Sequence, residues 1–208
     1  MSKLTGVVAD SSILSFHPEV SAAQRDSVLL AISAAEMVTR DAYEQGLIDD
    51  WFNYYRRQLM FYGYDPLQAS EVHWPGGERP NIVDKALRSI AAASGGSELA
   101  LSMGGTLEAL RGARDALAHF EQRVQKTGVF QLLPCAPGKA GQVDMVLYHE
   151  SMALTQTRAG FLFRERQTRQ VKAELVRFNV ALFDQELRAK VEKVRQAGRM
   201  RNLGTFLV

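Results

Sequence analysis

Apolar and polar positions alternate most regularly between Val143 and Phe183, and the alternation predicts three strands in series over 143–154, 161–169 and 171–183. In the third, Val176, Phe178, Val180 and Leu182 share one face, while Arg177 and Asn179 share the other. A sheet with one apolar face needs helices to cover it, and helical periodicity precedes and follows these strands. The first helix is predicted over 22–45. Ser21 and Gln24 have capping-box spacing, Val28, Ile32, Ala35 and Ala42 form an apolar stripe, and Gly46 is a stop. A second is predicted over 51–62, capped by Asp49 or Asp50, with Trp51, Tyr55, Leu59 and Tyr62 on one face. That face reads as core packing, with an aromatic surface for a partner or a bilayer interface as the alternative.

Residues 1–17 have no clear period and read as an extended arm; 64–80 read as a long loop rich in Pro and Gly. Asn81 caps a predicted helix over 82–93. The echoed Gly-Gly-Ser and Gly-Gly-Thr at 95–97 and 104–106 are each expected to open a helical segment, the second running to Val124. Residues 130–135 read as an edge strand, because Pro134 cannot donate to a ladder. Asp184 is expected to cap a last helix over 185–197. Helices followed by strands give an α+β class: a helical bundle-like N-terminal part over 1–127, then a three- to four-stranded antiparallel sheet and a C-terminal helix over 128–208. Together they form a single unit over 1–208.

Charge changes this picture in one respect. The net charge of the 208 residues is +2, yet residues 158–201 carry 12 Lys and Arg against 5 Asp and Glu, leaving the rest of the chain acidic. Such a division suits an acidic partner or head-to-tail self-association. The polar hairpin over 164–174 is its sharpest expression, and Arg164, Arg166, Arg169 and Lys172 are the candidate interaction residues there. His73 and Trp74 are the corresponding candidates in the 64–80 loop. The hairpin lacks aromatic residues at its tip for stacking bases, so nucleic acid is disfavoured as a partner.

Candidate chemistry is sparse. Histidines 17, 73, 119 and 149 lack metal-ligand spacing, and Cys135 is the single cysteine, so no metal and no disulfide are expected. His149-Glu150 lacks the second histidine of a zinc-protease helix, because position 153 is Ala. The glycine pairs lack a P-loop lysine and do not follow a strand, so no phosphate site and no cofactor are read from them. Cys135 with His149 is the one nucleophile pairing to consider, against a buried thiol as the plainer reading. Asp144, Glu150, Glu165 and Glu174 lie on predicted neighbouring strands and could pair only if the register allowed it.

These observations rank three functions. The first is a non-enzymatic, self-associating interaction or structural protein, a homo-oligomer, with an acidic protein or a membrane surface as a further partner. The second is a membrane-active, toxin-like virulence protein, whose small-residue segment 90–105 would rearrange on a bilayer. The third is an enzyme of unknown reaction. No small-molecule ligand is identified. Neither a signal-peptide core nor a spanning apolar run is read from the sequence, so the expected location is cytoplasmic by default, with export by a route that needs no signal peptide as the alternative.

Overall fold

Asp10 and Ser11 turn the chain back on itself and create a hairpin of β1 (Thr5–Ala9) and β2 (Ser12–Phe16), with Ala9 opposite Ser12. Asp10 takes a φ of 53°, which Asp tolerates better than most residues in a two-residue turn. The computed structural model describes residues 5–67, 71–73, 81–154, 160–163, 168–196 and 205–207. In it the expected N-terminal arm is this hairpin, and it lies inside the sheet, between β5 and β8.

The remaining strands are β3 (Tyr64–Pro66), β4 (Glu71–His73), β5 (Val129–Pro137), β6 (Val143–Met152), β7 (Thr168–Phe178) and β8 (Thr205–Leu207). They form one eight-stranded sheet in the order β3-β7-β6-β5-β2-β1-β8, with β4 also on β7. The α+β class holds. The expected three or four antiparallel strands become eight, because the hairpin, two short strands from the supposed loop and β8 join β5, β6 and β7. The pair β2 and β5 is parallel, since the intervening helices carry the chain back before β5 begins.

Four further expectations change. The segment 130–135 is not an edge: β5 lies between β2 and β6 and is buried from Val129 to Cys135. Pro134 fits there because the β5–β6 ladder passes from Leu132↔Tyr148 to Cys135↔Met145, leaving its missing N–H without a required acceptor. The expected second strand is instead a 3₁₀ turn at Phe161–Phe163, with 164–167 outside the described residues. The third strand stops at Phe178, where Asn179 accepts the Leu182 N–H and starts a helical run. That run is α6 (Val180–Leu182), a π-helical turn at Phe183–Leu187 and α7 (Arg188–Gln196), so Leu182 leaves the core and is 44% exposed.

The helices before β5 are α1 (Ala22–Glu44), α2 (Trp51–Phe61), α3 (Ile82–Ser94), α4 (Glu98–Gly112) and α5 (Arg114–Thr127). The Ser21–Gln24 capping box forms, Asp50 caps α2 and Asn81 caps α3. Gly95 ends α3 in a left-handed conformation at φ 68°, but Gly104 and Gly105 lie inside α4 and open nothing. Gly104 allows close packing there, since a Cβ would meet the Leu87 side chain at 3.4 Å.

The sheet separates two apolar cores. Its first face packs against α1, α2 and the C-terminal helical run, burying Leu14, Phe16, Leu133, Met145, Val176 and Phe178. Trp51, Tyr55, Leu59 and Tyr62 all enter this core, as their shared face predicted. The second face packs against α3, α4 and α5, burying Ile13, Phe130, Leu132, Val146, Tyr148 and Val171.

Candidate functional site

On the first face, four neighbouring strands line up polar residues side by side. Ser12 of β2 lies opposite Gln131 of β5, Gln131 opposite His149 of β6, and His149 opposite Lys172 of β7. All four are buried. Period-two alternation puts them on the α1/α2 side with Leu14, Leu133 and Leu147. Burying this row requires partners for each polar atom.

Hydrogen bonds link the row from Ser12 to His149, and an ion pair and a ring face serve Lys172. The Ser12 hydroxyl lies 2.8 Å from Glu36 Oε2 and 3.1 Å from Gln131 Oε1. Gln131 Nε2 lies 3.2 Å from His149 Nδ1. At the far end Lys172 Nζ lies 4.5 Å from the centre of the Phe52 ring and 3.8 Å from Asp50. Burial, helped by the Lys172 ammonium, lowers His149 to about 3, so its ring is neutral near pH 7.

At the near end α1 delivers Glu36, 1% exposed, to the β1–β2 turn. Its Oε1 accepts from the Ser11 N–H at 2.8 Å and from the Ser11 hydroxyl. Burial, then the neighbouring Asp10 carboxylate, raises Glu36 to about 7, against the pull of these donors. Asp10 is ion-paired with Arg40 and, at 2.6 Å, with Arg123, with His119 at 4.0 Å. Three secondary elements thus meet a single turn: α1, α5 and the hairpin itself.

His149 also lines a cleft of about 350 Å³ between the start of α2 and the start of β5. Tyr43, Trp51 and Phe52 form its aromatic side, and Asp49, Asp50, Thr127, Ser151 and Gln170 give it polar edges. Among the described residues, His149 Nε2 makes no hydrogen bond.

A different surface lies where α1, α2 and the C-terminal helical run meet. Met37 and Val38 of α1, Phe61 and Tyr62, and Val191 and Val194 of α7 enclose an apolar groove of about 260 Å³. Phe61 on its rim is 66% exposed, and Met60 beside it 44%.

The sequence-predicted site residues are scattered relative to these features. Lys172 is buried and turned toward Phe52. Trp74, Arg164 and Arg166 lie outside the described residues. His73 is opposite Val171 in the β4–β7 ladder, and Arg169 lies within β7. Cys135 is fully buried, and burial pushes its thiol up. Its cross-strand partner is Met145, four residues from His149 and so about 13 Å away along the strand; the two cannot form a nucleophile pair. Asp144 is paired with Arg177 at 2.6 and 2.8 Å, Glu174 with Arg56 at 2.6 and 2.8 Å, and Glu150 with Lys85 at 2.8 Å. Each carboxylate neutralises a base instead of sharing a site with another acid, and Glu165 lies outside the described residues.

Ser12, Glu36 and Gln131 were not candidates from sequence. The signal that could have found the row is a lone polar residue on the buried phase of each apolar strand: Ser12 before Ile-Leu, Gln131 between Phe and Leu, His149 after Leu-Tyr. The segment 90–105 packs against the second face through Ile90, Ala93, Leu99, Ala100 and Met103. Among the described residues no helix is long and apolar enough to cross a membrane.

No family model matches the chain, and no curated protein matches it. It is similar to a solved structure described as "Structure of the Evf virulence factor", at 11% identity and a TM-score of 0.33, over 91% of this chain and 78% of that one. A likeness of that size carries no argument about function.

Proposed function

We propose that this is a non-enzymatic interaction protein that self-associates through the groove between α1, α2 and α7. The observation that supports it is the Phe61 ring, 66% exposed on the rim of an apolar recess. Burying such a ring gains about 1.5–3 kcal/mol, so water is a poor resting place for it. Ring and recess occupy one surface. A two-fold contact between copies seats each Phe61 in its partner's groove and closes the assembly at a dimer.

This mode replaces head-to-tail pairing of the acidic and basic parts as the favoured contact. Part of that complementarity is already used within the chain. Lys172 meets Asp50, Arg177 meets Asp144 and Arg188 meets Asp26, each joining the basic C-terminal part to the acidic remainder. The 130–135 segment is also interior and cannot be paired by another chain.

Molar mass by light scattering against concentration tests the reading. The expected result is a mass rising to twice 23.1 kDa, little changed by salt, because apolar contacts are not screened. Phe61→Glu is expected to hold the protein monomeric. A monomer at every concentration ends the proposal. Association that salt abolishes and Phe61→Glu leaves intact returns the contact to the charged hairpin.

A further inference from the structure

We propose that the polar row is a proton-operated relay: when Glu36 loses its proton, the hydrogen bonds of Ser12 and Gln131 reverse, and His149 changes from donor to acceptor toward the cleft.

The geometry specifies both states. Glu36 Oε1 already receives two donors, the Ser11 N–H and the Ser11 hydroxyl. A proton on Glu36 therefore sits on Oε2, which faces Ser12 at 2.8 Å. Ser12 carries one hydroxyl proton. With Glu36 protonated, Oε2–H donates to Ser12 Oγ, and the Ser12 proton is free for Gln131 Oε1 at 3.1 Å. Gln131 Nε2 then donates to His149 Nδ1, which leaves the histidine proton on Nε2. Every link is satisfied, and this is the amide orientation in the structure.

With Glu36 ionised, Ser12 must donate to Oε2, and Gln131 Oε1 loses its donor. A half-turn of the Gln131 amide restores the chain. Nε2 then donates to Ser12 Oγ, and Oε1 accepts from His149 Nδ1–H. His149 accordingly exchanges its proton with water in the cleft, giving one up at Nε2 and taking one at Nδ1. One proton leaves the protein in all, that of Glu36. His149 stays neutral in both states, since its own protonation is pushed down to about 3.

Glu36 is placed to operate this near neutrality, at about 7. The groups around it are Asp10 with Arg40, Arg123 and His119, then Glu44 at the end of α1, and Tyr55 of α2. Tyr55 is raised well above its ordinary value by burial, and His119 is lowered chiefly by burial. Neither supplies a competing titration between 6.5 and 10.0. Lys172 and Asp50 face the other end of the row.

Nitrogen-15 NMR of the His149 imidazole in the full chain, from about pH 5 to about pH 9, tests the relay, because the two neutral tautomers have distinct ring-nitrogen shifts. The expected result is Nε2–H at low pH and Nδ1–H at high pH, with the midpoint near 7. Glu36→Gln places an amide N–H where the acid proton sits, and should hold His149 in the Nε2–H form throughout. Gln131→Met keeps the volume and cuts the row, so Glu36 should still titrate by its carboxyl carbon-13 shift while His149 stays fixed. A wild-type His149 tautomer unchanged over the whole range overturns the relay, whether or not either variant folds. So does a switch that persists in either variant.

Discussion

The two faces of the sheet solve the same burial problem with different chemistry. The face under α3, α4 and α5 is closed by rings: Phe120 and Phe161 stack at 6.0 Å, and Phe130 meets Phe161 at 5.7 Å. Its polar content is compact, with Lys85 and Tyr148 both on Glu150. The face under α1 and α2 is also packed with aromatics, Tyr64 stacking on Phe178 at 4.3 Å, yet it gives up one apolar position on each of four strands to the row from Ser12 to Lys172. Apolar packing alone would cover either face. A continuous polar row adds burial cost at every strand and is stable only as a connected set, so it is the part of the molecule where stability and protonation are coupled.

The largest expected effects test whether the faces are equal as packing. Phe178→Ala on the first and Phe120→Ala on the second should each cost about 3–5 kcal/mol in chemical denaturation. A loss below about 1 kcal/mol at either site would show that its core is not closed as described. A comparable effect tests the Glu150 cluster of the ring-closed face. Lys85→Met leaves Glu150 buried without its base and should cost about 3–5 kcal/mol near neutral pH. The double variant with Glu150→Gln should recover most of that. The loss should also shrink in acid, because burial already raises the Glu150 pKa and Lys85 is what opposes it.

Glu36→Gln acts in the opposite direction. Glu36 keeps its proton in the fold up to about 7, whereas in the unfolded chain it ionises above 4.5. Across that window the unfolded state binds fewer protons, so stability falls as pH rises. Removing the titration should therefore stabilise the protein by about 3 kcal/mol near pH 8 and by almost nothing below pH 4.5. His149 has the reverse slope: it is depressed to about 3, so its contribution is present above 6.5 and is lost as pH falls toward 3. Melting temperature against pH for wild type and Glu36→Gln separates the two, and parallel curves would show that Glu36 does not titrate in this window. The smallest stability effect is expected at Phe61, outside both cores. Phe61→Glu should change stability by about 0.5 kcal/mol or less, while abolishing the concentration dependence of the mass.

Local signals settled what was local. The Ser21–Gln24 box, the Asp50 and Asn81 caps and the inward face of Trp51, Tyr55, Leu59 and Tyr62 follow from hydrogen-bonding groups and periodicity within a turn or two. The alternation of 143–152 and 171–178 likewise predicted strands, since its period needs no partner to be read. Tertiary structure decided the rest, because strand order is not written in any one segment. Residues 5–16 are too short and too irregular to show which neighbours they have, and only pairing with β5, over a hundred residues on, brings them inside the sheet. The same pairing creates the row. Ser12, Gln131, His149 and Lys172 are polar residues in four separate stretches, and each alone is an unremarkable residue. Register set them side by side, and the approach of α1 brought Glu36 to their end.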